Sequence, residues 1–147
     1  MKAYLIVLLL GLTLSYNPSG AISYARTYCS RYNSRYKNYA GSGGDCANFV
    51  SQCVSEGGGL SLSGCSGRDS CGMLPLVSNL KTCLRNKGFT AYSSKPKNFK
   101  GGYPIFLKSG SHAMLATGVN GNTITYCGHT NDRCDYTISA SSVDFYF

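Results

Sequence analysis

The sequence has no GxGxxG motif, no phosphate-binding loop and no paired CxxC motifs, which argues against a nucleotide enzyme or a zinc ribbon. Trp is absent and only 14% of the 147 residues are charged, while 43% are hydrophobic, a balance that excludes a disordered chain. The 18 glycines show no three-residue period, which excludes a collagen-like rod. We expect no cofactor, no metal ion and no nucleic-acid partner.

Acidic residues are scarce, because 6 Asp and Glu stand against 14 Lys and Arg, for a formal net charge of +8. Such an excess of positive charge serves solubility or attracts a polyanion. Cysteine, in contrast, is abundant. Eight cysteines in so short a chain are typical of a protein that folds outside the reducing cytosol.

The amino terminus has the pattern of a signal peptide. Residues 3–14 are almost wholly apolar, but the run is too short to span a bilayer. The small residues that precede the bond after Ser15 match a signal-peptidase site and predict cleavage there, and the same pattern gives a second candidate site after Ala21. No later apolar run reaches 18 residues. The sequence therefore predicts a signal peptide at residues 1–15 and a secreted, extracellular domain at residues 16–147 without a transmembrane segment.

The spacing of hydrophobic residues changes along this domain. Before Gly88 they recur at helical intervals, and after Gly88 they alternate with polar residues. Apolar stripes predict three helices, which begin near Pro18, Cys46 and Pro75. Alternation predicts strands at residues 89–92, 104–107, 113–119, 123–127 and 143–147. Helices followed by an antiparallel sheet indicate the α+β class.

Cys46 opens the second predicted helix, directly after Gly43, Gly44 and Asp45. The first turn of a helix offers unpaired N–H groups and the positive end of the dipole, which stabilise a thiolate. The same N–H groups can bind the oxyanion of a tetrahedral intermediate. We expect Asp45 to be the helix cap and Cys46 to be a nucleophile.

A nucleophilic cysteine needs a base, and the chain has only two histidines, His112 and His129. A two-residue turn at positions 120–121 would place His112 directly opposite His129 across a hairpin. A turn centred one residue later would place Asn131 opposite His112 instead. Either residue could hold the imidazole of the base in its productive tautomer, and the preferred two-residue turn favours His129.

Four segments of the sequence resemble an amidase domain family of the papain-like cysteine peptidase superfamily, which is similar to NlpC-type and CHAP cell-wall hydrolases. They are residues 16–25, residues 44–52 (Gly-Asp-Cys-Ala-Asn-Phe-Val-Ser-Gln), residues 111–114 (Ser-His-Ala-Met) and residues 128–133 (Gly-His-Thr-Asn-Asp-Arg). The second segment is the most specific, and the resemblance spans essentially the whole domain.

The resemblance implies a papain-like fold in which Cys46 is the nucleophile and His112 the base. It implies a polar third residue, which is His129 in the NlpC-type pattern and Asn131 in the papain-like pattern. It also implies hydrolysis of an amide bond through a thioester, with bacterial cell-wall peptides or glycopeptides as substrate.

The remaining cysteines are expected to stabilise the domain. Their spacing predicts three disulfides and one buried thiol, namely Cys65–Cys71, Cys127–Cys134, Cys29–Cys83 and the thiol of Cys53. The Cys127–Cys134 bond would hold His129 and Asn131 in place. The alternative is four disulfides that include Cys46, and therefore no catalysis.

Three functions are compatible with these observations. The first is a secreted cysteine amidase or endopeptidase that acts on peptidoglycan. The second is a catalytically silent papain-like module that binds glycans or anionic polymers through tyrosines and positive charge. The third is a transglutaminase or acyltransferase, because an amine can take the thioester instead of water.

Overall fold

The computed structural model describes residues 16–147, so the predicted signal peptide at residues 1–15 lies outside the described residues. Three α-helices come first along the chain: α1 (Pro18–Tyr28), α2 (Cys46–Gln52) and α3 (Val77–Asn86). A π-helical turn, Cys53–Gly57, continues α2 without a break. None of the helices within the described range is long and apolar enough to cross a membrane.

One antiparallel sheet follows the helices. Its strands are β1 (Ala91–Tyr92), β2 (Pro104–Leu107), β3 (Ala113–Asn120), β4 (Thr123–Gly128), β5 (Arg133–Ser139) and β6 (Val143–Tyr146). They lie in the order β1-β6-β2-β3-β4-β5. The α+β prediction is confirmed. Strand β5 was not predicted, because it lies at an edge of the sheet and most of its side chains are exposed, so no hydrophobic alternation marks it.

Helix α1 begins where the sequence predicts. The side chain of Asn17 accepts a hydrogen bond from the Gly20 N–H, and Pro18 occupies the first helical position. The helix then packs closely on the π-helical turn, because two glycines meet there. A Cβ atom on Gly57 would lie 2.6 Å from the Gly20 oxygen, so a larger residue would push the two helices apart.

The sheet buries apolar side chains on both faces. The face towards the helices contributes Phe106, Ala113, Leu115, Cys127 and Tyr146 to the main core. The other face forms a second core that includes Met114 and Phe145 and is covered by Phe99. Helix α2 lies inside the main core, where all seven of its residues are buried. The first residue of α2, Cys46, is therefore fixed by the core itself.

The β3–β4 hairpin turns one residue later than the favoured prediction. Asn120 pairs with Thr123, so that Gly121, with a φ of 60°, is the first central residue of the turn. A bulge between Ala116 and Gly118 then shifts the register, and the ladder reaches Leu115 opposite Cys127.

This register corrects the predicted pairing of the candidate site residues. The ladder between β3 and β4 ends at the Leu115–Cys127 pair, so His112 pairs with neither His129 nor Asn131. The placement of His112 directly opposite His129 is wrong, and so is the alternative placement opposite Asn131. No local pattern of residues indicates the bulge that displaces both.

The structure contains two disulfides, Cys29–Cys134 and Cys65–Cys83, with Cα separations of 5.4 and 5.3 Å. The three predicted pairs are therefore wrong. The unpredicted strand β5 brings Cys134 to the end of α1, and α3 brings Cys83 to the Gly/Ser-rich loop. Within residues 16–147 the free cysteines are Cys46, Cys53, Cys71 and Cys127. The buried thiol of Cys53 is confirmed, and the alternative of four disulfides is wrong.

The two disulfides should differ in their contribution to stability. Cys29 and Cys134 are 105 residues apart and Cys65 and Cys83 only 18. Because loop-closure entropy grows with the logarithm of loop length, replacing Cys29 and Cys134 by Ser should lower the free energy of unfolding by ~1.6 kcal/mol more than replacing Cys65 and Cys83. Urea denaturation measures both losses, and Cys71→Ser is the control for an exposed cysteine. An equal or reversed ranking would contradict this expectation.

Candidate active site

Cys46 is the first residue of α2, and 9% of its surface is exposed. It belongs to the same buried cluster as Phe49 and Ala113. The free thiol thus lies at a helix start, as predicted, and at the edge of the core. Such a position combines unpaired backbone N–H groups with limited access for solvent.

Asp45 is the N-cap residue of α2, as predicted, but its side chain makes no capping hydrogen bond. Its carboxylate instead accepts three other hydrogen bonds. Oδ1 accepts from the Tyr39 N–H and from Nδ2 of Asn48, both at 2.9 Å. Oδ2 lies 2.6 Å from Nδ1 of His129. Asp45 therefore joins the start of α2 to a residue 84 positions later in the chain.

His129 is 1% exposed, and both of its ring nitrogens have partners. Nδ1 meets Asp45, and Nε2 lies 2.6 Å from the carbonyl oxygen of Tyr28. A carbonyl oxygen can only accept, so Nε2 carries a proton. The ring therefore bridges the Asp45 carboxylate and the end of α1. Its ring stacks on Phe49 at 4.0 Å between centroids and lies 4.3 Å from the ring of Tyr32.

The loop between β4 and β5 carries His129 and folds back on α2. Three successive residues, Thr130, Asn131 and Asp132, have φ angles of 61°, 85° and 42°. The hydroxyl oxygen of Thr130 accepts a hydrogen bond from the Asp45 N–H at 3.1 Å. The Asn131 side chain is exposed and makes no hydrogen bond within residues 16–147. The loop is thus fixed on both sides of Asn131, whose side chain is left free.

His112 lies directly before β3 and is half-buried. Burial lowers the pKa of its imidazole from the ordinary value of 6.5, because desolvation disfavours the charged form. Within the described chain its ring has no hydrogen-bond partner. Strand β3 packs against α2, and Ala113, the next residue, shares a buried cluster with Cys46. The fold therefore places His112 at the start of the strand on which the helix of Cys46 rests.

Three buried polar residues of α2 maintain the position of Cys46. Asn48 donates to the Lys37 carbonyl, and Ser51 accepts a hydrogen bond from the Leu74 N–H. Gln52 accepts from the Tyr24 hydroxyl at 2.8 Å. The polar part of the Asn-Phe-Val-Ser-Gln string thus ties α2 to neighbouring segments.

Sequence reasoning named Cys46, His112 and His129 as candidate site residues, and it did not predict that Asp45 is the partner of His129. No local signal could have revealed that contact, since only the tertiary fold brings the two residues together.

No group of three or more His, Cys, Asp or Glu side chains in the described part of the chain could hold a metal ion.

Comparisons with known proteins agree with this architecture. A family model described as "Putative amidase domain" matches residues 15–146. The solved structure of Ly7917 is 18% identical, with a TM-score of 0.50, over 88% of this chain and 62% of that one. Ly7917 "with the hydrolyzing product of MDP" gives 18% identity, the same coverage and a TM-score of 0.48.

The chain thus spans less than two thirds of the Ly7917 chain, and at 18% identity the likeness of the first structure shows the fold alone. A search of curated proteins found no match. The family model, in contrast, covers nearly all of the sequence, from residue 15 to residue 146. This chain therefore belongs to the family described as "Putative amidase domain".

Proposed function

We propose that this protein is a secreted cysteine amidase or endopeptidase that hydrolyses amide bonds in peptides or glycopeptides of the bacterial cell wall. The observation that carries the proposal is the free thiol of Cys46, which a fully buried helix fixes at the edge of the core in a chain of an amidase family. The packing of α2 against β3, directly before which His112 lies, supports a papain-like arrangement of nucleophile and base.

In the proposed reaction the Cys46 sulfur attacks the carbonyl carbon of the amide, and His112 takes the thiol proton. N–H groups of the first turn of α2 hydrogen-bond the oxyanion. His112 then gives its proton to the leaving amine, the C–N bond breaks and a thioester remains. Water, activated by His112, attacks the thioester and releases the acid and the Cys46 thiol.

The other free cysteines fit this assignment less well. Burial raises the pKa of the Cys53 thiol well above its ordinary value and also raises the pKa of Cys127, because a thiolate is poorly solvated there. Both therefore stay protonated at neutral pH, and a protonated thiol is a poor nucleophile. Cys71 is exposed and lies in a loop. Among the free thiols of residues 16–147, Cys46 alone is the first residue of an α-helix.

The polar third residue is proposed to be Asn131. Both ring nitrogens of His129 already have partners, Asp45 and the Tyr28 carbonyl, so orienting His112 would require His129 to give up one of them. Asn131 lies two residues later with an unbonded amide.

Charge supports a cell-wall substrate, because the acidic side chains of the domain are all engaged within it. Each of the six carboxylates has a side-chain partner: Asp45 with His129, Glu56 with Arg35, Asp69 with Tyr39, Asp132 with Tyr32, Asp135 with Arg26 and Asp144 with Lys108. Most Lys and Arg side chains thus remain without an acidic partner and attract the carboxylates of wall peptides. The resemblance to cell-wall hydrolases points the same way, and the disulfides suit an oxidising, extracellular location.

Replacing Cys46 by Ala should abolish hydrolysis of purified peptidoglycan fragments, because the thioester cannot form without the sulfur. Mass spectrometry of new termini measures the activity, and Cys71→Ala, which removes an exposed thiol, should stay within about twofold of the wild type. Product mass also separates hydrolysis from transfer to an amine. Wild-type protein that binds the fragments without cleaving them would instead be the silent module.

Replacing His112 by Ala should lower kcat/KM by about three orders of magnitude or more, with little change in Tm, because the ring has no hydrogen bonds to lose. The wild-type pH profile of kcat/KM tests the same role. Since burial lowers the pKa of His112, its imidazole stays neutral and able to accept a proton below pH 6.5. The acidic limb of the profile should therefore have its midpoint below 6.5, and a midpoint above that value would contradict the assignment.

Asn131→Gly should lower kcat by more than about tenfold and leave KM nearly unchanged, because the amide would orient the base rather than bind substrate. Glycine suits the left-handed backbone at this position, where φ is 85°. Asp132→Gly is the matched control, since it removes a neighbouring side chain from the same backbone region. Equal effects of the two variants would mean that the loop conformation matters and the Asn131 amide does not.

A further inference from the structure

The geometry points to Asp45 and His129 as a positioning pair that holds the start of α2, and with it Cys46, on the loop after β4. This inference rests on the proposed role of Cys46 and adds to it a unit that touches no reacting atom.

Every polar group of Asp45 is used to fix it. Its N–H donates to the Thr130 hydroxyl at 3.1 Å, and its carbonyl accepts from the Phe49 N–H at 2.9 Å, within α2. Its carboxylate accepts from Tyr39, Asn48 and His129. The residue directly before Cys46 is therefore held from three sides, so the orientation of the first turn of α2 depends on it.

The other half of the pair is fixed just as fully. His129 is bonded to the last carbonyl of α1, that of Tyr28, and its ring lies between the rings of Phe49 and Tyr32. The Cys29–Cys134 disulfide joins the same two segments one residue after Tyr28 and five after His129. The pair thus connects the end of α1, the start of α2 and the β4–β5 loop.

The test measures the reactivity of Cys46 without any substrate. The rate of Cys46 alkylation by iodoacetamide at pH 7 is followed by quantitative peptide mapping in Asp45→Asn, His129→Gln and the double variant, with circular dichroism to confirm folding. Each single variant should react at least about tenfold more slowly. The double variant should be no slower than the slower single variant, because the two residues act as one unit. Asp132→Asn, a change of carboxylate in the same loop, should stay within about twofold.

A second set of double variants distinguishes two ways in which His129 could affect Cys46: by positioning Asp45, or by acting directly on His112. The effect of His129→Gln on alkylation should persist in a His112→Ala background and disappear in an Asp45→Asn background. The reverse pattern would show that His129 acts through His112 and would overturn the proposal. Folded single variants with an unchanged alkylation rate would overturn it as well.

Removing one member of a buried ion pair can unfold a protein, so a milder pair of variants completes the test. Thr130 is exposed, and Thr130→Val removes only the hydroxyl that accepts from the Asp45 N–H. Alkylation of Cys46 should slow by about threefold in Thr130→Val and remain as in the wild type in Thr130→Ser, which keeps the hydroxyl. An unchanged rate in Thr130→Val would overturn the proposal. Because no substrate is involved, failure here is distinct from a Cys46→Ala variant that keeps amidase activity.

Discussion

The burial of α2 is the constraint on which the rest of the site depends. A helix of seven residues is far shorter than the ~12–15 residues that an isolated helix needs, so packing alone keeps it formed. Full burial requires its polar side chains to find partners inside the protein. Tyr24, Leu74 and Lys37 supply partners from three separate segments, while Oδ1 of Asn48 has none within residues 16–147. The same contacts that satisfy these groups fix where the helix begins, and thereby where Cys46 lies.

The ion pair at the start of α2 serves specificity of placement more than stability. Burying a carboxylate away from water costs several kcal/mol, which is regained only where short hydrogen bonds satisfy the carboxylate and its partner. Asp45 and His129 meet this condition, because every nitrogen and carboxylate oxygen of the pair is bonded. An apolar pair of similar volume would form no directional hydrogen bonds and would therefore not fix the orientation of Cys46. Loss of one member would leave an isolated charge, at a cost of about 3–5 kcal/mol.

How much could be predicted from the sequence depends on the range of each interaction. The start of α1 at Pro18 and the start of α2 at Cys46 are local patterns, and both were predicted correctly. The predicted hairpin register is wrong because the turn lies one residue later than the favoured one and a bulge near Thr117 shifts the pairing again, and no local pattern indicates either. The disulfide pairs were predicted wrongly and the Asp45–His129 contact was missed, because these residues are far apart in the sequence. Only the complete sheet, including the unpredicted edge strand β5, brings them together.

The β4–β5 loop explains why a disulfide and an ion pair flank the same few residues. Thr130, Asn131 and Asp132 all have positive φ angles, a conformation that costs about 1–3 kcal/mol for each non-glycine residue. Such a loop would relax unless its two ends were held. His129 fixes one end on Tyr28 and Asp45, and the Cys29–Cys134 disulfide fixes the other. Both attachments lead to the carboxyl end of α1 and the amino end of α2, so the conformational cost of the loop is met by the contacts that position Cys46. A relaxed loop would therefore displace the nucleophile as well as Asn131.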